Sequence, residues 1–321
     1  MTHGIGTDER ITRRHFLEVA AKLSVAFGLA PSVVPDLAEA AENLFEGRAP
    51  LVWLQGQSCS GCSISLLNSE DPGPMELITR RVALKYHPTL SAATGAPGIE
   101  IVESWIAGDR PFVLVVEGSL PERLESACTV GDRPLRELVV RAADRAHAVV
   151  AAGTCAAFGG IPAAAGNPTG ARDVPAVLAA DGVTTPLLRV PGCPPHPDWI
   201  VGTLLHLIRV GLPKVDELDR PVAFYGRLVH DQCQRFADYE RQFFARDYGE
   251  PGCLFKLGCL GPVTHADCNV RLWNSGAGSC INRDAPCAGC AGEAFARDDR
   301  IALTRFGERP GPDDDGEGHA R

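Results

Sequence analysis

Three short apolar runs in this chain each end in a small-residue loop that delivers cysteine. Leu51-Val52-Trp53-Leu54 leads into Gln55-Gly56-Gln57-Ser58-Cys59, with Cys62 three positions on. Ala148-Val149-Val150-Ala151 leads to Gly153-Thr154-Cys155, and Pro186-Leu187-Leu188-Arg189-Val190 to Pro191-Gly192-Cys193. A fourth run, Phe112-Val113-Leu114-Val115-Val116, ends in Glu117-Gly118. Between the runs, Met75–Leu84, Leu135–Ala146 and Trp199–Val210 carry apolar residues at helical spacing. Strands alternating with helices predict a parallel sheet covered on both faces. In such open sheets, ligands bind beyond the carboxyl ends of the strands. One cysteine there would pack as a small hydrophobe. Four in three strand-end loops, two of them as Cys59-x-x-Cys62, point to a site at the rim.

From about Pro213 the alternation fades, and no long apolar run follows Val222-Ala223-Phe224-Tyr225. Seven of the twelve cysteines lie in this second half, from Cys233 to Cys290. Domains poor in hydrophobic core use disulfides or metal centres as staples. His230-Asp231-Gln232-Cys233, with Cys253 and Cys259, offers one imidazole and three thiolates. Cys268, Cys280, Cys287 and Cys290 offer four thiolates. With Cys59, Cys62, Cys155 and Cys193 these make three sets of four, and Cys128 remains as a structural thiol.

Three chemistries compete for these sets. Structural zinc takes four thiolates, or three with one imidazole, and suits the second and third sets. The first set, drawn from three strand ends, suits it less. Disulfides fit an exported protein, yet Cys-x-x-Cys spacings close long loops poorly. Iron–sulfur clusters accept wide and irregular spacing and an occasional histidine, and the glycine-rich loops supply N–H donors to sulfur. Residue chemistry favours clusters over zinc without excluding it.

The excess of 40 acidic over 31 basic side chains argues against nucleic-acid binding, which needs a basic surplus. No apolar run reaches the length of about 18 residues that a transmembrane helix requires. Thr12-Arg13-Arg14-His15-Phe16-Leu17, the weakly apolar Val19–Val34 and Leu37-Ala38-Glu39-Ala40 read as a twin-arginine export signal. That route carries folded, cofactor-loaded proteins, so it sharpens the cluster reading and predicts a periplasmic location or the outer face of the cytoplasmic membrane. Gly307–Arg321, with Asp313–Asp315, reads as a disordered acidic tail. No Gly-x-Gly-x-x-Gly after a strand, phosphate loop or His-Glu-x-x-His occurs, so nucleotide and hydrolytic zinc roles lack support.

The motifs also match a family in order. Cys59-Ser60-Gly61-Cys62-Ser63, Glu117-Gly118, Gly153-Thr154-Cys155-Ala156, Gly159-Gly160-Ile161-Pro162 and Pro191-Gly192-Cys193-Pro194-Pro195-His196-Pro197 resemble the small subunit of nickel–iron hydrogenases. His230-x-x-Cys233, Pro251-Gly252-Cys253, Leu257-Gly258-Cys259 and Pro286-Cys287-Ala288-Gly289-Cys290 extend the resemblance to the second half. It implies an α/β chain: a flavodoxin-like parallel-sheet domain over residues 49–215, then a loop-rich iron–sulfur domain over 216–297. Residues 1–48 would be signal and linker, and 298–321 the tail. Cys59, Cys62, Cys155 and Cys193 would hold a proximal cluster. Cys268, Cys280, Cys287 and Cys290 would hold a medial one, and His230, Cys233, Cys253 and Cys259 a distal one.

The implied function is electron transfer from H2 oxidation to an external acceptor such as a cytochrome. The nickel–iron centre itself would lie in a large partner subunit, in a heterodimer or larger assembly with no transmembrane anchor from this chain. The alternative is a cluster-bearing member of another redox complex related to the quinone-reductase family, and a zinc-stapled binding protein is the non-redox reading.

Cys280 departs from many relatives, which place proline there and hold a 3Fe–4S medial cluster; a thiolate suggests 4Fe–4S at all three sites, as in the nickel–iron–selenium branch. Gly61 and Gly160 stand where oxygen-tolerant relatives carry two extra cysteines, so that device is absent here. Trp53, Trp199 and Trp273 read as packing and His87 as a satisfied structural histidine. Glu117, at the rim, would either orient loop amides or face the partner.

Overall fold

Strands β1 (Ala49–Gln55), β2 (Val82–Tyr86), β3 (Val113–Glu117), β4 (Ala148–Ala152) and β5 (Leu187–Val190) form one parallel sheet in the order β2-β1-β3-β4-β5. This computed structural model describes residues 49–296; the expected export signal and acidic tail lie outside the described residues. Because side chains alternate along a strand, Trp53, Val113 and Val115 enter one core while Val52, Leu54, Leu114 and Val116 enter another. Helices α2 (Gly95–Ala107) and α3 (Leu135–Arg145) supply Trp105, Val102, Leu138 and Val139 to the second core. Helix α1 (Gly61–Leu67) packs on the long helix α6 (Pro197–Arg209), whose Trp199, Ile200 and Leu204 fill the first. Two shorter helices, α4 (Gly153–Phe158) and α5 (Val174–Ala180), complete this half. Burial on both faces is why β3 and β4 are apolar at nearly every position.

The helix expected over Met75–Leu84 is not formed. Pro74–Glu76 makes one helical turn, Leu77–Arg81 widens into a π-turn, and Val82 begins strand β2. Parallel pairing of Val82, Ala83 and Leu84 with Ala49, Pro50 and Leu51 outweighs the helical spacing of the apolar residues. Helix α2 went unread because Gly95, Pro97 and Gly98 crowd its start, although proline is tolerated in a first turn.

The second half consists of single turns and bridges. Its core is nonetheless real. Tyr225, Val229, Ala245, Leu254, Ala266, Ile281 and Ala291 are buried in the same cluster as Trp199 and Leu204, so the sheet domain's outer face is the floor on which these loops pack.

Candidate functional site

The loops after β1, β3, β4 and β5 meet at the carboxyl edge of the sheet, where the strand order turns about β1 and β3. Cys59, Cys62, Cys155 and Cys193 gather there. Burial pushes the Cys62 thiol well up, and the neighbouring charges of Glu117, Cys155, Cys59 and Cys193 push it further. Burial also raises Cys155, and raises Cys193 to about 11 with help from Cys155 and Cys59. Thiols whose ionisation burial and mutual repulsion oppose give up their protons when a cationic group takes the protons' place.

Glycine makes the close approach possible. Gly153 has φ +86°, and a Cβ there would stand 2.4 Å from Cys62 Sγ. Gly160 has φ +53°, and a Cβ would meet Cys155 Sγ at 2.8 Å. Neither place admits a side chain without displacing a thiol.

Glu117 lies beneath this set, fully buried. Its carboxylate accepts from Trp53 Nε1–H at 3.1 Å, Gln55 Nε2–H at 3.1 Å, the Ser63 hydroxyl and the Cys62 backbone N–H at 3.1 Å. Between the two roles open from sequence, it orients a loop amide. His87 completes the network: its Nδ1 accepts from Thr89 N–H at 3.1 Å, so Nε2 carries the proton and donates to Ser63 Oγ at 3.0 Å. Burial lowers His87 to about 4, against a smaller opposing pull from Glu117.

Cys268, Cys280, Cys287 and Cys290 form a second set. Burial raises Cys268 far above the ordinary thiol range, followed by Cys290, Cys287 and Cys280 as neighbours. Burial pushes Cys287 up to about 12 and Cys290 to about 11. The Thr154 hydroxyl, next to Cys155, donates to the Cys290 carbonyl, so this set touches the first. Asp267 fixes the neighbouring turn by accepting from Trp199 Nε1–H at 2.6 Å and from Arg271, which also bonds Asp198 of α6 at 3.0 Å.

His230, Cys233, Cys253 and Cys259 line one cavity with Phe255 and Ile281. The His230 ring is wedged edge-on against Tyr239 at 4.6 Å and tilted against Phe236 at 5.1 Å. Burial is the leading cause of the raised Cys233 and Cys253 thiols, and each also feels Cys259. Cys259 Sγ accepts the backbone N–H of Cys287 at 3.3 Å, while Leu260 N–H returns a bond to Cys287 O at 2.8 Å. The third set therefore touches the second. Further N–H···S bonds come from Arg235 to Cys233 at 3.4 Å and from Gly289 to Cys287 at 3.5 Å.

The structure places His230, Cys233, Cys253 and Cys259 around one cavity, and brings Cys59, Cys62, Cys155 and Cys193, and likewise Cys268, Cys280, Cys287 and Cys290, near enough to act on one another's thiols. All twelve cysteines of the chain are free thiols, which removes the disulfide alternative. Among the described residues, no three His, Cys, Asp or Glu side chains are disposed to hold a single metal ion. Cys128 stands apart, half-buried against the second core. Thr154 was missed: its hydroxyl bonds Cys290, 136 positions away, and nothing local marks that partner.

Two family profiles match the sequence. One is NADH ubiquinone oxidoreductase, 20 Kd subunit, over residues 59–207; the other is the C-terminal part of the NiFe/NiFeSe hydrogenase small subunit, over 225–302. The chain is 37% identical to the periplasmic [NiFeSe] hydrogenase small subunit of Desulfomicrobium baculatum, over 89% of this chain and 96% of that one. It is 35% identical to the hydrogenase-2 small chain of Escherichia coli strain K12, over 89% of this chain and 77% of that one. The H2-activated [NiFeSe]-hydrogenase structure from D. baculatum superposes with a TM-score of 0.74 at 38% identity, covering 77% of this chain and 95% of that one. Fold, ordered cysteine loops and these likenesses agree: the chain belongs to the NiFe/NiFeSe hydrogenase small-subunit family and is an electron-transfer subunit.

Proposed function

We propose that this chain relays electrons between H2 oxidation in a separate large subunit and an external acceptor such as a cytochrome. Cys59, Cys62, Cys155 and Cys193 hold the proximal centre of the relay. Cys268, Cys280, Cys287 and Cys290 hold the medial centre, and His230, Cys233, Cys253 and Cys259 the distal one. When bound, iron–sulfur clusters (4Fe–4S at each position in this reading) supply one-electron carriers tuned by ligand type, N–H···S bonds and burial.

One observation carries the reading: the three sets are joined end to end, the Thr154 hydroxyl beside Cys155 donating to the Cys290 carbonyl and Cys287 N–H to Cys259 Sγ. Independent structural staples have no need to touch; a conductor does. Zinc requires four ligands about one ion, each at about 2.0–2.3 Å, and the sets are not so disposed. A quinone-reductase-type relative accounts for residues 59–207 alone. His230 would remove one negative charge from its centre relative to a thiolate, which favours reduction at the exit of the relay. Ile64 and Ile161, 58% and 50% exposed beside the first set, suit a face that meets the large subunit.

Export by the twin-arginine route to the periplasm accords with the Arg13-Arg14 signal and with the periplasmic relative. No described helix is long and apolar enough to cross a membrane. Metal analysis of the purified complex tests the proposal: roughly twelve irons per chain with acid-labile sulfide, and nickel from the partner, are expected. About four irons would favour the quinone-reductase alternative, and zinc without sulfide would overturn both.

A further inference from the structure

Thr154 stands where three cysteine-bearing loops meet. Its hydroxyl accepts the Gly192 backbone N–H at 2.8 Å and donates its proton to the Cys290 carbonyl. Its own backbone N–H donates to Gly192 O at 2.9 Å. Thr154 precedes Cys155 and Gly192 precedes Cys193, so one side chain, 1% exposed, ties two loops of the first set to a cysteine of the second. The hydroxyl's single donor and one of its two acceptor sites are engaged. A valine of similar shape would leave the Gly192 N–H and the Cys290 carbonyl short of a partner in a buried place.

The loop so held has little slack. From the other side, the buried Tyr225 hydroxyl donates to Pro191 O at 2.8 Å. Gly192 itself has φ +149°, and a Cβ there would run into Pro195 at 2.4 Å. At the far end of the Cys287–Cys290 turn, the contact to the next set is the direct Cys287 N–H to Cys259 Sγ bond. That turn is therefore clamped at both ends, and Thr154 is a clamp that can be altered without removing a cysteine.

We infer that Thr154 is a positioning residue that sets the separation and contact of the proximal and medial cysteine sets, and with them the electronic coupling of the groups those sets hold. The inference rests on the electron-relay reading above.

The test compares Thr154→Val and Thr154→Ser in the purified heterodimer, by iron and sulfide content and by electron paramagnetic resonance of the reduced complex. Thr154→Val is expected to keep its iron and sulfide but to show an altered spin–spin interaction between the proximal and medial centres. Thr154→Ser, which restores the hydroxyl, is expected to recover the wild-type spectrum. A valine variant with full clusters and an unchanged spectrum would overturn the inference. So would loss of clusters from the valine variant, since the hydroxyl would then serve assembly and not coupling. Wild-type complex lacking iron and sulfide would instead remove the relay reading itself.

Discussion

Glu117 Oε1 accepts the backbone N–H of Cys62 at 3.1 Å, and among the described residues no cation shares the carboxylate: its other donors are Trp53, Gln55 and Ser63. An unneutralised buried charge beside a thiol set opposes added electrons. Glu117→Gln keeps the shape and removes that charge. The potential of the proximal centre should rise on the order of tens of millivolts in a redox titration. An unmoved potential would mean that the carboxylate acts only as a hydrogen-bond acceptor.

Cys280 is exposed yet near enough to help raise the thiols of both Cys268 and Cys290. Cys280→Pro is expected to leave three thiolates and yield a 3Fe–4S signal in the oxidised complex by electron paramagnetic resonance. The medial potential should rise with that change of cluster type. An unaltered spectrum would strike Cys280 from the ligands.

His230 has no thiolate's charge to contribute, and its ring is held by Tyr239 and Phe236. His230→Ala should slow electron delivery to an added acceptor while hydrogen–deuterium exchange in the large subunit persists. Joint loss of both activities would assign the residue a structural role.

His87 makes stability depend on pH. Burial holds it neutral, at about 4 in the folded chain against 6.5 as a free histidine. The unfolded chain therefore binds the extra proton between these values. Stability from the neutral ring is complete above pH 6.5 and is lost as the pH falls towards 4, by roughly 3 kcal/mol in all. His87→Gln, still able to donate to Ser63, should flatten that slope when denaturant midpoints of the complex are compared at about pH 7 and pH 5. Equal slopes in both proteins would place the proton elsewhere.

The sheet and the rim were readable because buried parallel strands leave apolar runs and the loops after them are short. The cysteine groups followed from spacing and from the resemblance. What escaped depends on contacts between residues far apart in sequence. Val82 looks helical until Ala49 pairs with it, and Thr154 looks like loop filler until Cys290 arrives. Glu117 had two readings, and only the position of the Cys62 amide chose between them.

The common core of Trp199 and Leu204 with Tyr225, Leu254 and Ile281 also bears on ancestry. The two profile matches, 59–207 and 225–302, suggest modules that evolution is free to join or part. The shared interior denies them that freedom. A chain ending after α6 would bare the indole of Trp199 and the leucines beside it to water, an invitation to aggregate. Descendants that dispense with the module over 225–302 must first re-clothe that helix with polar side chains or with another protein.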